Sequence, residues 1–385
     1  MIREHSHNNS LLRLSKSIVG KLEIEAVSSV LEKGYLGMGA ECQGFEQELK
    51  TFLGGDRQVV CVNTGTAALH LALQALGVEA GDEVLVPSLT YVASFQAISA
   101  CCAIPVACDV RADTGLLDLT DAARRLTSRT KVLLPVHYAS YPGDLNGVYA
   151  FAKQHGLRVV EDAAHAFGCE YQGRKIGSFG DVVCFSFDGI KNITCGEGGA
   201  IVSADLDVVA KAQDARLLGV VKDSEKRYSG ERSWEFDVTE QGWRYHMSDL
   251  MAAIGRTQLK RFENEFKPKR MALARRYRER LAGSTGVRCF DTDLDAVVPH
   301  ILPLRILDGR REEVNRALFD RGIQCGLHYK PNHLLTKFGA GKVALPVAES
   351  LYRELLTLPL HPEVSFDEVD LIVDIVRNIL NGERN

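Results

Sequence analysis

Short apolar, β-prone runs recur through the first half of the chain, and stretches of helical spacing separate them. Val59–Val62, Glu83–Val86, Ile104–Ala107, Lys131–Val136 and Arg158–Asp162 have strand length and composition. The segment AALHLALQAL (67–76), a helix opened by Tyr91, Leu117–Leu126 and Gly147–Lys153 read as the intervening helices. Strands that alternate with helices predict an α/β fold on a mostly parallel sheet with crossover helices. In open sheets of this kind ligands gather beyond the carboxyl ends of the strands. Thr66, Tyr91, His137 and Asp162 all follow strand ends.

Upstream, residues 1–20 read as a polar arm. Leu22, Ile24, Val27, Val30 and Leu31 then place an amphipathic helix over Lys21–Glu32. Gly34, Gly37 and Gly39 break it, and a second helix over Phe45–Leu53 stops at Gly54-Gly55. Downstream, Arg216–Arg232 reads as a solvated or mobile loop and as a local source of positive charge, through Arg216, Lys222, Lys226, Arg227 and Arg232. Ser248–Leu281 predicts one long helix or two. After Gly286 the pattern changes to a smaller α/β lobe. It has strands around Pro299–Ile306 and Ile323–Cys325 and helices over Arg311–Arg321, Val347–Leu356 and Phe366–Leu380. The expected division is a large domain of residues 1–285 and a small domain of residues 286–385, with 270–280 as connecting helix.

One stretch stands apart. In Val182–Ser203 two β-prone runs flank Lys191 and the glycine-rich Gly196-Glu197-Gly198-Gly199. A lysine between packed strands is partly desolvated, which disfavours the ammonium and lowers its pKa. An amine that can lose its proton near neutral pH attacks carbonyls, the basis of Schiff-base catalysis. A solvated turn lysine would be the plainer assignment, and the upstream residues argue against it. Asn63-Thr64-Gly65-Thr66 joins a strand to a helix N-terminus, an anion site by its free N–H groups and dipole. Simple N-capping by Thr64 or Thr66 explains the same residues. Asp162 at a strand end suits a protonated ring nitrogen, and Tyr91 suits stacking on an aromatic ring. Phosphate cup, ring-nitrogen partner and Schiff-base lysine are together what pyridoxal 5'-phosphate (PLP) needs.

Composition narrows the partners. The 385 residues carry a formal net charge of −4, so no global basic surface points to nucleic acid or an anionic membrane. The ten cysteines are scattered without a CxxC pair, which reads as reduced thiols of a cytoplasmic protein and not as a disulfide frame or a metal site. No apolar run is long enough to span a bilayer, and the first ten residues lack an apolar signal core.

The sequence resembles the DegT/StrS aminotransferases, fold-type I PLP enzymes that aminate nucleotide-linked keto-sugars. The matching segments are NTGTAALHLAL (63–73), GDEVLVPSLTYVAS (81–94), TKVLLPVHYASYPGDL (130–145), VVEDAAHAFGCEYQGRKIGSFGDVVCFSF (159–187), KNITCGEGGAIVS (191–203), MSDLMAAIGRTQL (247–259), GLHYKPNH (326–333) and LPVAESLYRELLTLPLHPEVS (345–365). They occur in the family's order and cover nearly the whole chain. The resemblance implies that Lys191 bonds the cofactor and moves the proton, and that Asp162 holds the ring nitrogen protonated. It puts His165 beside the ring, Tyr91 against its face, and Gly65, Thr66, Ala67 and Ser186 around the phosphate. His328 and Tyr329 fall in the segment it places near substrate. Where many members have Gly-x-Asn-Tyr-Arg, this chain reads Gly242-Trp243-Arg244-Tyr245-His246. Arg244 therefore replaces an asparagine that reaches the partner subunit's phosphate, and it suits either that phosphate or a nucleotide diphosphate.

The resemblance also implies a homodimer with its active sites at the interface. L-glutamate is the expected donor and a nucleotide-linked 4-keto-6-deoxyhexose the expected acceptor. An O-antigen or other lipopolysaccharide, a capsule and a small-molecule glycoside are the destinations left open. A sugar dehydratase of the same family carries histidine at the lysine position, which Lys191 argues against. A PLP-binding regulator without turnover, or a cysteine desulfurase, would use the same scaffold.

Overall fold

The computed structural model describes residues 11–54, 56–339 and 342–382. The first ten residues of the polar arm, and Gly55 of the expected helix stop, lie outside them.

The amphipathic repeat folds as α1 (Lys21–Lys33), and α2 (Ala40–Leu53) ends at Gly54 in the left-handed conformation that glycine adopts without strain. α2 begins five residues before the expected Phe45, because a distant carboxylate caps it. Asp249 Oδ1 accepts the N–H groups of Gly39 (2.8 Å) and Cys42 (3.0 Å). The alternating region follows as β1 (Gln58–Val62), α3 (Gly65–Ala75), β2 (Glu83–Pro87), α4 (Val92–Ala100), β3 (Ile104–Cys108), α5 (Leu119–Arg125), β4 (Thr130–Leu133), α6 (Leu145–His155) and β5 (Arg158–Asp162). β4 is shorter than Lys131–Val136, since Pro135 has no N–H to give a ladder. A small hairpin, β6 (Glu170–Tyr171) and β7 (Arg174–Lys175), precedes the expected pair β8 (Val182–Ser186) and β9 (Gly199–Ser203).

Seven strands form the central sheet in the order β1-β9-β8-β5-β4-β2-β3. Pairing is parallel from β3 through β8, and β9 alone runs antiparallel to both its neighbours. Successive side chains serve opposite faces. Val84, Val86, Val182 and Cys184 pack under the helices on one side, while Leu85, Val183 and Phe185 pack on the other. Both faces are covered, as a mostly parallel sheet requires.

The helices α7 (Leu206–Ala215) and α8 (Asp223–Tyr228) follow. The expectation of a solvated loop at 216–232 is corrected here. Arg216 is fully buried, and its Nη1 donates to Glu46 Oε1 (2.5 Å) and to the Cys61 carbonyl (2.7 Å). Its Nη2 reaches Tyr228 Oη (2.6 Å), and Arg227 pairs with Asp223 (2.7 Å), so both charges are spent on structure. Breaking a buried pair strands the remaining charge. Arg216→Leu is therefore expected to destabilise the protein by about 3–5 kcal/mol, read as a fall in the denaturant midpoint; an unchanged midpoint would contradict this.

Ser248–Leu281 is one rod: α9 (Asp249–Arg261), a π-turn at Phe262–Phe266, and α10 (Lys267–Leu281). β10 (Val287–Cys289), β11 (Leu302–Ile306), α11 (Arg311–Phe319), α12 (Pro346–Glu354), β12 (Leu355–Leu358) and α13 (Phe366–Asn381) complete the chain. The strands form an antiparallel sheet, β10-β11-β12. Two expectations fail here. The helix over Val347–Leu356 stops at Glu354, because the buried Leu355 and Leu356 pair with β11 instead. Ile323–Cys325 forms no strand. Ile323 only bridges Leu12, and Gly326 only bridges Thr357. From residue 11 the arm is a strap: Leu12 bonds Gly322 and Gln324, Leu14 accepts from Leu360, and Ser17 Oγ donates to the Gly189 carbonyl (2.5 Å). No helix of the described residues is long and apolar enough to cross a membrane.

Candidate functional site

A cleft of about 420 Å³ opens at the carboxyl ends of β5 and β8, beside the N-terminus of α3. Lys191, Asp162, His165, Gly65, Thr66, Tyr91, Ser186, His328 and Tyr329 all line it. Two of the expected residues do not. Ala67 is buried and donates its N–H to Thr64 Oγ1 (3.0 Å), which makes Thr64 the helix cap. Arg244 is exposed, its backbone bridging Leu217. His137 is also outside: it is buried with its Nε2 2.9 Å from Glu161 Oε2.

Lys191 sits on the connection 187–198 between β8 and β9, close to Asp162 and Asp188. Burial pushes its ammonium down to about 8, and the two carboxylates oppose that shift. Its Nζ lies 3.3 Å from His300 Nε2.

Asp162 closes β5, and its carboxylate is held on both oxygens. Oδ2 accepts from Ser94 Oγ (2.7 Å) and Oδ1 from the N–H of Ala164 (3.1 Å). His165 Nε2 and Tyr329 Oη are 3.0 Å apart. Burial, and then Lys191, push the His165 imidazolium well below its usual range, so the ring is neutral. His328 is pushed down to about 4 by burial and Lys191, and its Nδ1 lies 2.9 Å from Thr357 Oγ1. Tyr91 precedes α4, is 59% exposed, and stands 5.7 Å from the Tyr329 ring.

The turn 64–66 is packed closely against β8 and β9. A Cβ on Gly65 would stand 2.7 Å from Ser186 Cβ, and one on Gly199 would overlap the Thr64 carbonyl. This brings the first-turn N–H groups of α3 beside the Ser186 hydroxyl. Such N–H groups have no intrahelical partner. The donor set fits a phosphorylated pyridine aldehyde: an anion cup, a fixed carboxylate for a ring nitrogen, and a desolvated amine.

Local sequence did not reveal His300, Ser94 or Arg270. His300 stands 109 positions from Lys191 in a plain strand entry. Ser94 lies inside α4, and Arg270 inside α10. Only the tertiary fold brings His300 into the cleft, Ser94 onto Asp162 and Arg270 onto the Lys191 carbonyl.

Residues 17–377 match the model of the DegT/DnrJ/EryC1/StrS aminotransferase family. The spore coat polysaccharide biosynthesis protein SpsC of Bacillus subtilis is 36% identical over 392 residues, covering 99% of this chain and 100% of that protein. The crystal structure of the aminotransferase TlmJ from Streptoalloteichus hindustanus superposes with a TM-score of 0.89 at 34% identity, over 97% of this chain and 99% of that one. The PLP form of Spr1654 from Streptococcus pneumoniae superposes with a TM-score of 0.89 at 28% identity, over 98% of this chain and 100% of that one.

Proposed function

This chain belongs to the DegT/DnrJ/EryC1/StrS aminotransferase family of PLP enzymes, and from that premise we propose that it moves the amino group of L-glutamate onto a nucleotide-linked keto-sugar. The acceptor in this reading is a 4-keto-6-deoxyhexose, and the product feeds a glycan such as an O-antigen or other lipopolysaccharide. The polysaccharide role in the name of the B. subtilis relative supports a glycan destination. The observation that carries the reading is the single cleft that gathers Lys191, Asp162, Ser186 and the α3 N-terminus.

PLP, when bound, supplies a carbonyl for the amino group and an electron-withdrawing ring that acidifies the adjacent C–H. The chain's residues do the rest. In this assignment the N–H groups of Gly65 and Thr66 and the Ser186 hydroxyl hold the phosphate. Ala67 contributes by fixing the first turn, its N–H being committed to Thr64. Asp162 holds a proton on the ring nitrogen, Tyr91 covers the ring, and neutral His165 orients beside it with Tyr329. Lys191 carries the moving proton at Nζ, its lowered pKa letting it act as base and acid near neutrality. His328 and Tyr329 face the sugar.

The same proposal makes the enzyme a cytoplasmic homodimer in which Arg244 of each subunit turns to the partner's cleft. Its exposure, and its place outside the chain's own cleft, favour that assignment. It divides the chain into residues 1–285 and 286–385, supported by two sheets with distinct cores that share α10. The test is to add L-glutamate to the PLP-loaded protein without acceptor. The visible absorbance of the cofactor is expected to bleach, with one 2-oxoglutarate released per site. Retained absorbance with no 2-oxoglutarate would overturn the donor assignment.

A further inference from the structure

His300 Nε2 is within hydrogen-bond distance of the Lys191 amine, yet His300 lies at the entry to β11 and belongs to none of the motifs above. It is only 3% exposed. Its backbone N–H donates to Ser140 Oγ (2.8 Å), and that hydroxyl donates to the His165 carbonyl (2.6 Å), which staples the two histidine segments together. The rings of His165 and His300 are 4.7 Å apart. Arg270, buried on α10, donates to the carbonyls of Lys191 (3.4 Å), His300 (3.3 Å) and Leu360 (3.2 Å). The lysine and the histidine are thus held by the same guanidinium.

We propose that His300 is the positioning residue for Lys191: its neutral ring, protonated on Nδ1, accepts a hydrogen bond at Nε2 from the lysine nitrogen, aims that nitrogen into the cleft and favours a proton on it. The proposal rests on Lys191 being the reacting amine. Nε2 is within hydrogen-bond reach of Nζ, a donor that stays an ammonium below about pH 8, and a neutral imidazole that accepts at Nε2 carries its proton on Nδ1. An acceptor bonds an ammonium more strongly than an amine. His300 therefore opposes the loss of the proton that burial would otherwise drive. The other groups facing Lys191 are Asp162 and Asp188, which favour the ammonium, and Arg270, which disfavours it. His165 and His328 stand near it too, and burial keeps them, like His300, neutral. A lysine that must give its proton back, as well as take it, needs such a counterweight.

The test reads the proton affinity of Lys191 in the cofactor-free full chain, by the pH dependence of its acetylation with acetic anhydride, followed by peptide mass spectrometry. His300→Leu is expected to move the midpoint down, a loss of about tenfold in proton affinity. In the loaded enzyme it lowers kcat with little change in KM for the sugar. His300→Gln, whose Oε1 can accept the same bond, is expected to restore the midpoint to within about twofold. An unchanged midpoint in the leucine variant makes His300 a bystander and overturns the proposal. A midpoint that moves up shows a charged imidazolium and overturns it too. Should the leucine variant fail to fold, ¹⁵N-histidine spectra decide. The His300 signal, assigned by its absence from the glutamine variant, is expected as the Nδ1–H tautomer at pH 7. An Nε2–H or doubly protonated ring contradicts it. Because labelling reads Lys191 without turnover, an inactive or mis-assigned enzyme is distinguished from a failed His300 proposal.

Discussion

Lys191→Ala is expected to lower the rate of amino transfer by about four orders of magnitude, the upper end of what positioned proton transfer contributes. Among the described residues lining the cleft, Lys191 carries the only primary amine. No neighbour can replace it, since burial makes the imidazoles of His165, His300 and His328 weak bases, and His165 and His328 are bonded to Tyr329 and Thr357. Arginine does not substitute either, because a guanidinium keeps its proton. The same residue sets a pH limb. Burial lowers the ammonium from 10.5 to about 8, so the base form increases as pH rises toward 8 and the rate climbs with it before levelling. In cofactor-free protein the sign for stability follows. The folded state binds its lysine proton less tightly than the unfolded chain, so burial costs stability below about pH 8 and the cost fades as pH rises toward 10.5. Lys191→Met is accordingly expected to be more stable than its parent at pH 7. Borohydride reduction of the PLP-loaded wild type, followed by peptide mapping, should place the cofactor mass on Lys191. Wild-type rates in Lys191→Ala would remove the residue from the mechanism.

Asp162→Asn is expected to cost about 150- to 5,000-fold in kcat. Removing one member of a buried charge pair costs about 3–5 kcal/mol, and each 1.36 kcal/mol is tenfold in rate. Asparagine keeps the shape, and its Oδ1 can still accept from Ser94 or Ala164, so the end of β5 stays folded. It loses the negative charge that, in the proposed function, holds a proton on the ring nitrogen, so the C–H beside the bound amine is expected to become less acidic. The loss should fall on kcat for both half-reactions, with weaker PLP retention and little change in the KM for the sugar. Activity within threefold of wild type would show that Asp162 serves only its hydrogen bonds to Ser94 and Ala164.

What the sequence disclosed, and what it concealed, divides along a physical line. The alternating strands and helices were legible because each buried strand is a local apolar run with a local turn after it. Asp162, Tyr91 and the Gly65-Thr66 turn were legible because each lies at or just beyond a strand end, where the α/β rule places ligands, and Lys191 because two β-prone runs and a glycine-rich turn flank it. Arg216 was misread because a charged, glycine-punctuated stretch looks solvated unless its partner Glu46 is seen, 170 positions away. The early start of α2 depended on Asp249, and the end of α12 on pairing with β11. His300 was invisible for the same reason, since its contact with Lys191 is entirely tertiary.

The central claim is that nitrogen moves from an amino acid to a sugar in this cleft. The most direct test supplies ¹⁵N-labelled L-glutamate and a nucleotide-linked 4-keto-6-deoxyhexose to the PLP-loaded enzyme and reads the sugar nucleotide by mass spectrometry. The account predicts ¹⁵N in the sugar, matched by an equal amount of 2-oxoglutarate, and neither with Lys191→Ala. Loss of water from the sugar without nitrogen gain would point to a dehydratase, and bound PLP with no change in either substrate would contradict the account.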